Sequence, residues 1–347
     1  MSRYQKPAEL YDGLRLHQNE NTAGCSPRVL AALAALRANQ VGFYPAYEAA
    51  TRACAMYLGV DPDHLSLVNG LDEGIMGAAA SYLRPTPGSA KAEAIIPEPA
   101  FEIFAFDTDV VGGQPVRVPP AADFAFALEG VLDAITPKTR VVFLTNPNNP
   151  TGATLPKDAI RQIARHVPPE AIVFLDEAYA DFSGETFIPE LADFPNVVVG
   201  RTFSKAFGLA GLRIGAITGA LDALEPIRLA VPMYSVNIAA VVAVQAALED
   251  LDYVHDYLHQ VEISKRMLYD ACDRLGLEYW KSAANFVLVS AGRQASSIVE
   301  GAARRGIYVR DRSTEPGCAG CVRVGTGIVE HTKQFIAVLE EVLCAAR

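Results

Sequence analysis

Several things are scarce in this sequence, beginning with cysteine. Six cysteines in 347 residues are too few and too scattered for a disulfide framework. Cys318 and Cys321 form one C-x-x-C pair, "CAGC". With no second pair and no histidine at zinc spacing, they read as small apolar residues or as a metal or redox pair. No metal is expected. Positive charge is short too. Lys and Arg number 30 against 40 Asp and Glu, for a net charge of −10 and a pI near 5.2. That balance argues against nucleic acid or an anionic membrane as the main partner. No apolar run approaches the ~20 residues that span a bilayer. The opening "MSRYQKPAELYDG" lacks an apolar signal core, so a cytoplasmic location is expected. Two cofactor fingerprints are also missing. No G-x-G-x-x-G opens a helix after an early strand, and no G-x-x-x-x-G-K-[ST] occurs. Nicotinamide dehydrogenases and phosphate-loop NTPases are therefore set aside.

Apolar residues, by contrast, make up half the chain, enough for two domains with their own cores. Residues 1–28 read as a polar, turn-rich arm. "SPRVLAALAAL" follows as a helix, with Ser26 as N-cap and Pro27 in the first helical position. Short β-branched runs then alternate with helical patterns: "HLSLVNG", "AEAIIPEPAF", "RVVFLTNPNNPTG", "AIVFLDEAY", "NVVVGRTFSK" and "RIGAITG". This alternation predicts an α/β fold, a mainly parallel sheet with helices on both faces. It would fill a large domain over 29–250. A long amphipathic helix over about 251–275 opens a smaller α+β domain, 251–347, containing "NFVLVSA", "GIYVRD" and "CVRVGTG".

Open α/β sheets bind ligands at the carboxyl ends of their strands. The clusters "NGLDEG", "TNPNNPTG", "DEAY" and "RTFSK" all fall there. In the last of them Lys205 lies in a run of small and apolar residues, where burial would lower its pKa and free a neutral amine. The order Asn149, Asp176, Tyr179, Ser204–Lys205 and Arg213 resembles the fold-type I pyridoxal-phosphate enzymes. Within them it is similar to the class I/II aminotransferases, and most of all to the histidinol-phosphate aminotransferase group. The resemblance runs from "NEN" at 19 to "VRVGTG" at 322.

That resemblance implies pyridoxal 5'-phosphate as cofactor and a role for each matching residue. Lys205 would bind the cofactor covalently and later move the substrate α-proton. Asp176, ionised, would keep the pyridine nitrogen protonated. Tyr179 and Asn149 would hydrogen-bond the ring oxygen. Leu71 and Asp72, at a helix start, would offer backbone N–H groups to the phosphate. Ser204, Arg213 and Thr202 would add donors. Phe101 stands where the family usually has a tyrosine stacked on the ring. Tyr44 matches a tyrosine lent to a neighbour's cofactor phosphate, which implies a homodimer with shared sites. Arg310, Arg323 and Asn19 would meet the substrate, an amino donor or a 2-oxo acid. The expected pair is histidinol phosphate with 2-oxoglutarate. Aromatic or other amino acids, or decarboxylation of an amino-acid phosphate, are the alternatives. Thr22 and Cys25 depart from the family's prolines, and Leu71 replaces a small residue.

Overall fold

A computed structural model describes residues 12–85, 88 and 90–345; the first eleven residues of the arm lie outside this range. The β-branched runs form a seven-stranded sheet. Its strands are β1 (Leu65–Val68), β2 (Glu93–Pro97), β3 (Gln114–Val118), β4 (Thr139–Thr145), β5 (Ile172–Asp176), β6 (Val197–Thr202) and β7 (Gly215–Gly219), in the order β1-β7-β6-β5-β4-β2-β3. Only β7 runs against its neighbours. β5 and β6 are buried at every position, which explains their unbroken apolar runs.

Register brings the polar strand ends together. Thr145 sits beside Asp176, and Asp176 beside Gly200. Because β7 is reversed, its leading edge meets the trailing edge of β6, with Gly215 opposite Thr202. Arg213 thus arrives at the sheet edge where β5 and β6 end. The helix at Pro27–Ala34 has the expected start: Ser26 Oγ accepts from the Arg28 N–H and Pro27 is the first helical residue. It stops two residues short of the expected end.

Helix Leu251–Leu275 leads into a four-stranded antiparallel sheet. Its strands are β8 (Glu278–Tyr279), β9 (Phe286–Ser290), β10 (Arg310–Asp311) and β11 (Cys321–Gly325), in the order β10-β11-β9-β8. The arm joins this side of the molecule: Leu14–Arg15 pairs in parallel with Ile307–Tyr308. Leu16 enters the core formed by Leu268, Val287, Val324 and Phe335. Burying a leucine is worth about 1.5–3 kcal/mol, which offsets the ordering of one or two backbone residues. Cys318 and Cys321 are buried free thiols packed with Leu288 against Phe124 and Trp280, an apolar setting.

Candidate active site

One cavity of about 390 Å³ opens where the sheet ends face the arm and the small sheet. It collects every candidate residue named from the sequence except Tyr44. Asp176, Tyr179, Thr202, Ser204 and Lys205 come from the ends of β5 and β6 and the turns beyond them; Leu71, Asp72, Phe101, Asn149 and Arg213 come from the surrounding loops and helix start. Asn19 projects from the arm, and Arg310 and Arg323 from β10 and β11.

Lys205 Nζ donates to the Gln18 carbonyl at 2.9 Å. Burial, helped by the Arg323 charge, lowers its pKa to about 8, although Glu20 and Asp72 pull the other way. Asp176 is almost fully buried, and its Oδ1 accepts the Ala178 N–H at 2.9 Å. Burial pushes its carboxyl up to about 7; Asp72 adds to the rise, while the Ala178 bond and Lys205 oppose it. A buried carboxylate short of a cation suits a protonated pyridine nitrogen, which would supply one. Behind it, Arg201 is buried between Asp181, at 2.5 Å, and Glu177, at 3.8 Å. Tyr57 Oη also donates to Asp181. This ionic cluster fixes the turn that carries Tyr179.

The anion end is built around Gly70. This residue starts helix Leu71–Tyr82 without a side-chain cap. Its φ of +74° favours glycine, and a Cβ there would lie 2.3 Å from Arg213 Nη2. The guanidinium therefore lies close against the helix start, where unpaired N–H groups point outward. Arg213 is itself left-handed at φ 57° and pairs with Asp72 at 2.8 Å. Leu71, bulkier than the family's usual residue, fits because β6 has glycine opposite it: a Cβ on Gly200 would meet Leu71 Cδ1 at 2.5 Å. Ser204 is buried, and its N–H is held by Thr202 Oγ1.

At the opposite end, Arg323 is 5 % exposed. It donates to Asn149 Oδ1 and to the His17 carbonyl, and its guanidinium lies over the Phe286 ring. Its Nε has no partner, and among the described residues it makes no salt bridge. Burial and the neighbouring Arg312 lower its pKa to about 9, which leaves it cationic at neutral pH. His17 records the same field. Its pKa falls to about 4, first through burial and then through Arg15, Arg310 and Arg323. Arg312 lines this end too, ion-paired with Glu315 and Glu102 and donating to Asn149 Oδ1. Sequence reasoning passed over Arg312, yet its spacing was a signal: residues 310 and 312 share a face of an extended segment. His17, Gln18, Glu20 and Glu102 also line the cavity, and nothing but proximity to named residues marked them.

Tyr44 lies elsewhere, 80 % exposed and stacked on Tyr234 with ring centroids 4.5 Å apart. Phe101 is half-buried at the cavity wall, edge-on to Phe104. Thr22 has work of its own: its hydroxyl accepts the Ile328 N–H at 3.0 Å, just before helix Val329–Ala345. A proline could not make that bond. Cys25 is half-buried against the apolar cluster of Val29 and Phe207.

A lysine with a lowered pKa, a buried carboxylate at the strand ends and an anion cradle at a helix start together define a pyridoxal-phosphate enzyme of the aminotransferase type. The profile of the family described as "Aminotransferase class I and II" matches residues 11–339. The chain belongs to that family and is a pyridoxal-phosphate-dependent aminotransferase. It is 36% identical to the histidinol-phosphate aminotransferase of Symbiobacterium thermophilum, over 98% of this chain and 93% of the relative. It is 35% identical to histidinol-phosphate aminotransferase 2 of Carboxydothermus hydrogenoformans, over 95% and 91%. The crystal structure of histidinol-phosphate aminotransferase from Sinorhizobium meliloti in complex with pyridoxal-5'-phosphate has a TM-score of 0.88. It is 29% identical and is matched over 97% of this chain and 92% of that one.

Proposed function

We propose that this enzyme transfers an amino group between histidinol phosphate and 2-oxoglutarate, in histidine biosynthesis. The observation that carries this reading is Arg323, a buried guanidinium with an unpartnered Nε and no carboxylate partner among the described residues, beside Arg310 and Arg312. A buried cation of this kind calls for an anion, and a forked donor suits phosphate and carboxylate alike. Histidinol phosphate offers a phosphate and glutamate a carboxylate, so one arginine group serves both half-reactions. The names of the relatives support the same substrate.

Pyridoxal phosphate, when bound, supplies an electron sink for the pair released when the substrate Cα–H bond breaks. Gly70, Leu71, Ser204 and Arg213 would hold its phosphate, with Thr202 in support and Asp72 acting through its backbone N–H. Asp176 holds a proton on the pyridine nitrogen. Tyr179 and Asn149 would hold the ring through its oxygen, and Phe101 would pack against it. Lys205 Nζ takes the proton from substrate Cα and returns it at the other end of the reacting system. Asn19 closes the arm side. Residues 29–250 form the cofactor-binding unit in this reading and 251–347 the substrate-side unit, with the arm before 29 packed on the latter. The enzyme works as a homodimer in which Tyr44 reaches the neighbour's cofactor phosphate. A cytoplasmic location agrees with six free thiols.

The test is the half-reaction spectrum of the purified enzyme. Histidinol phosphate should convert the cofactor to its amine form, and unphosphorylated histidinol should be at least about a hundredfold poorer in kcat/KM. No conversion by histidinol phosphate, with conversion by an aromatic amino acid, would turn the assignment to an aromatic aminotransferase.

A further inference from the structure

We propose that Asn285 is a positioning residue: from the start of an inner strand of the small sheet it fixes Asn19 in a left-handed conformation, and thereby sets the hydrogen bond that readies the Tyr179 hydroxyl for the cofactor. This inference rests on the reading of Tyr179 as a cofactor contact. Asn285 is fully buried just ahead of β9. Its Nδ2 donates to the Asn19 carbonyl at 3.0 Å, while its own carbonyl accepts the Thr326 N–H at 2.8 Å. Asn19 has φ 55°, a left-handed conformation that asparagine tolerates better than most residues and that the Asn285 bond helps to hold. Held that way, Asn19 donates from Nδ2 to Tyr179 Oη at 2.9 Å. The phenolic oxygen therefore acts as acceptor toward the arm, and its own proton is left to donate elsewhere.

A hydroxyl that accepts a hydrogen bond is a stronger donor, and the Asn19 bond opposes the rise that burial imposes on Tyr179. The next residue, Phe286, completes the support. Tyr179 packs edge-on to its ring at 5.1 Å, and Arg323 lies over it. Asp176, Arg323 and Arg312 also face the hydroxyl and are untouched by a change at 285. Asn285 and Phe286 thus tie the arm, the small sheet and the cofactor's phenol partner into one unit.

The experiment titrates the visible absorption of the cofactor-loaded enzyme. A stronger Tyr179 donor stabilises negative charge on the ring oxygen and lowers the pKa of the lysine-linked nitrogen beside it. Asn285→Leu keeps the side-chain shape and removes the donor, so this pKa should rise by about 0.5–1 unit. Asn285→Ser, which retains a donor, should recover at least half of the shift. Asn19→Ala should give the same rise, and adding Asn285→Leu to it should change nothing further. An unshifted Asn285→Leu enzyme, or a shift that persists in the Asn19→Ala background, would overturn the proposal. Asn285→Ala is held to the same criteria if the leucine variant does not fold. Tyr179→Phe separates the two readings. If it leaves the pKa unmoved, the cofactor role of Tyr179 fails and this inference with it; if it raises the pKa while Asn285→Leu does not, only this inference fails.

Discussion

In the proposed mechanism Lys205 carries the chemistry, and its surroundings make ammonium costly. Its pKa of about 8 reflects burial first and the charge of Arg323 second. The sign follows directly: a lowered pKa enlarges the neutral, nucleophilic fraction at any pH below it. Capture of pyridoxal phosphate by the apoenzyme, measured against a simple amine, should quicken about tenfold per pH unit up to pH 8 and then level off. An ordinary lysine would continue to gain until about pH 10.4. A rate still climbing at pH 10 would show that burial does not set the reactivity of this residue. Asp176 moves the opposite way in pKa for the same reason, since burial disfavours the charged form of acid and base alike.

At the scale of elements, the site depends on how one strand and one helix meet. The reversal of β7 delivers Arg213 to the start of helix Leu71–Tyr82, and Gly70 leaves room for the guanidinium. Gly70→Ala would force a Cβ into Arg213 and impose a backbone conformation, φ 74° and ψ 158°, that is essentially restricted to glycine, at about 1–3 kcal/mol. We expect the cofactor dissociation constant to rise at least about tenfold, read by absorbance titration, with the far-ultraviolet circular dichroism unchanged. Affinity within a factor of two of wild type would remove Gly70 and Arg213 from the phosphate cradle. The neighbouring Arg201 cluster obeys a different rule. Its two carboxylates share one cation inside the core, so its value lies in the geometry of the turn rather than in net stability.

For the whole molecule, the feature left unexplained by a single chain is its exposed apolar surface. Tyr44 and Tyr234 stack in the open, and Phe43, Met56, Leu229 and Met233 are each more than 70 % exposed. In the proposed homodimer such side chains would be covered by the partner subunit. Sedimentation should find a dimer at assay concentration, with specific activity falling on dilution below its dissociation constant. Tyr44→Phe should weaken cofactor binding severalfold without changing the dimer, because it removes only the hydroxyl that would reach across. A fully active monomer would end the shared-site reading.

Reaction class and cofactor were legible in the sequence through the family resemblance, because the motifs that carry it are local. Asn149, Asp176, Tyr179, Ser204 and Lys205 each follow an apolar strand run, and strand ends are where an α/β sheet gathers ligand groups. The strand–helix alternation carried the large domain for the same reason, since period and β-branching act within a few residues. What the chain order could not reveal depends on separation. Arg323 meets the His17 carbonyl across 306 positions, and Asn285 meets Asn19 across 266. Arg312, buried between two carboxylates, becomes part of the site only when the small sheet closes over Asn149. Residues this far apart become neighbours through core packing, the burial of Leu16 and the pairing of the arm with Ile307–Tyr308. Local sequence supplied the proposed catalytic groups, and tertiary packing set their charge states and chose the groups that face them.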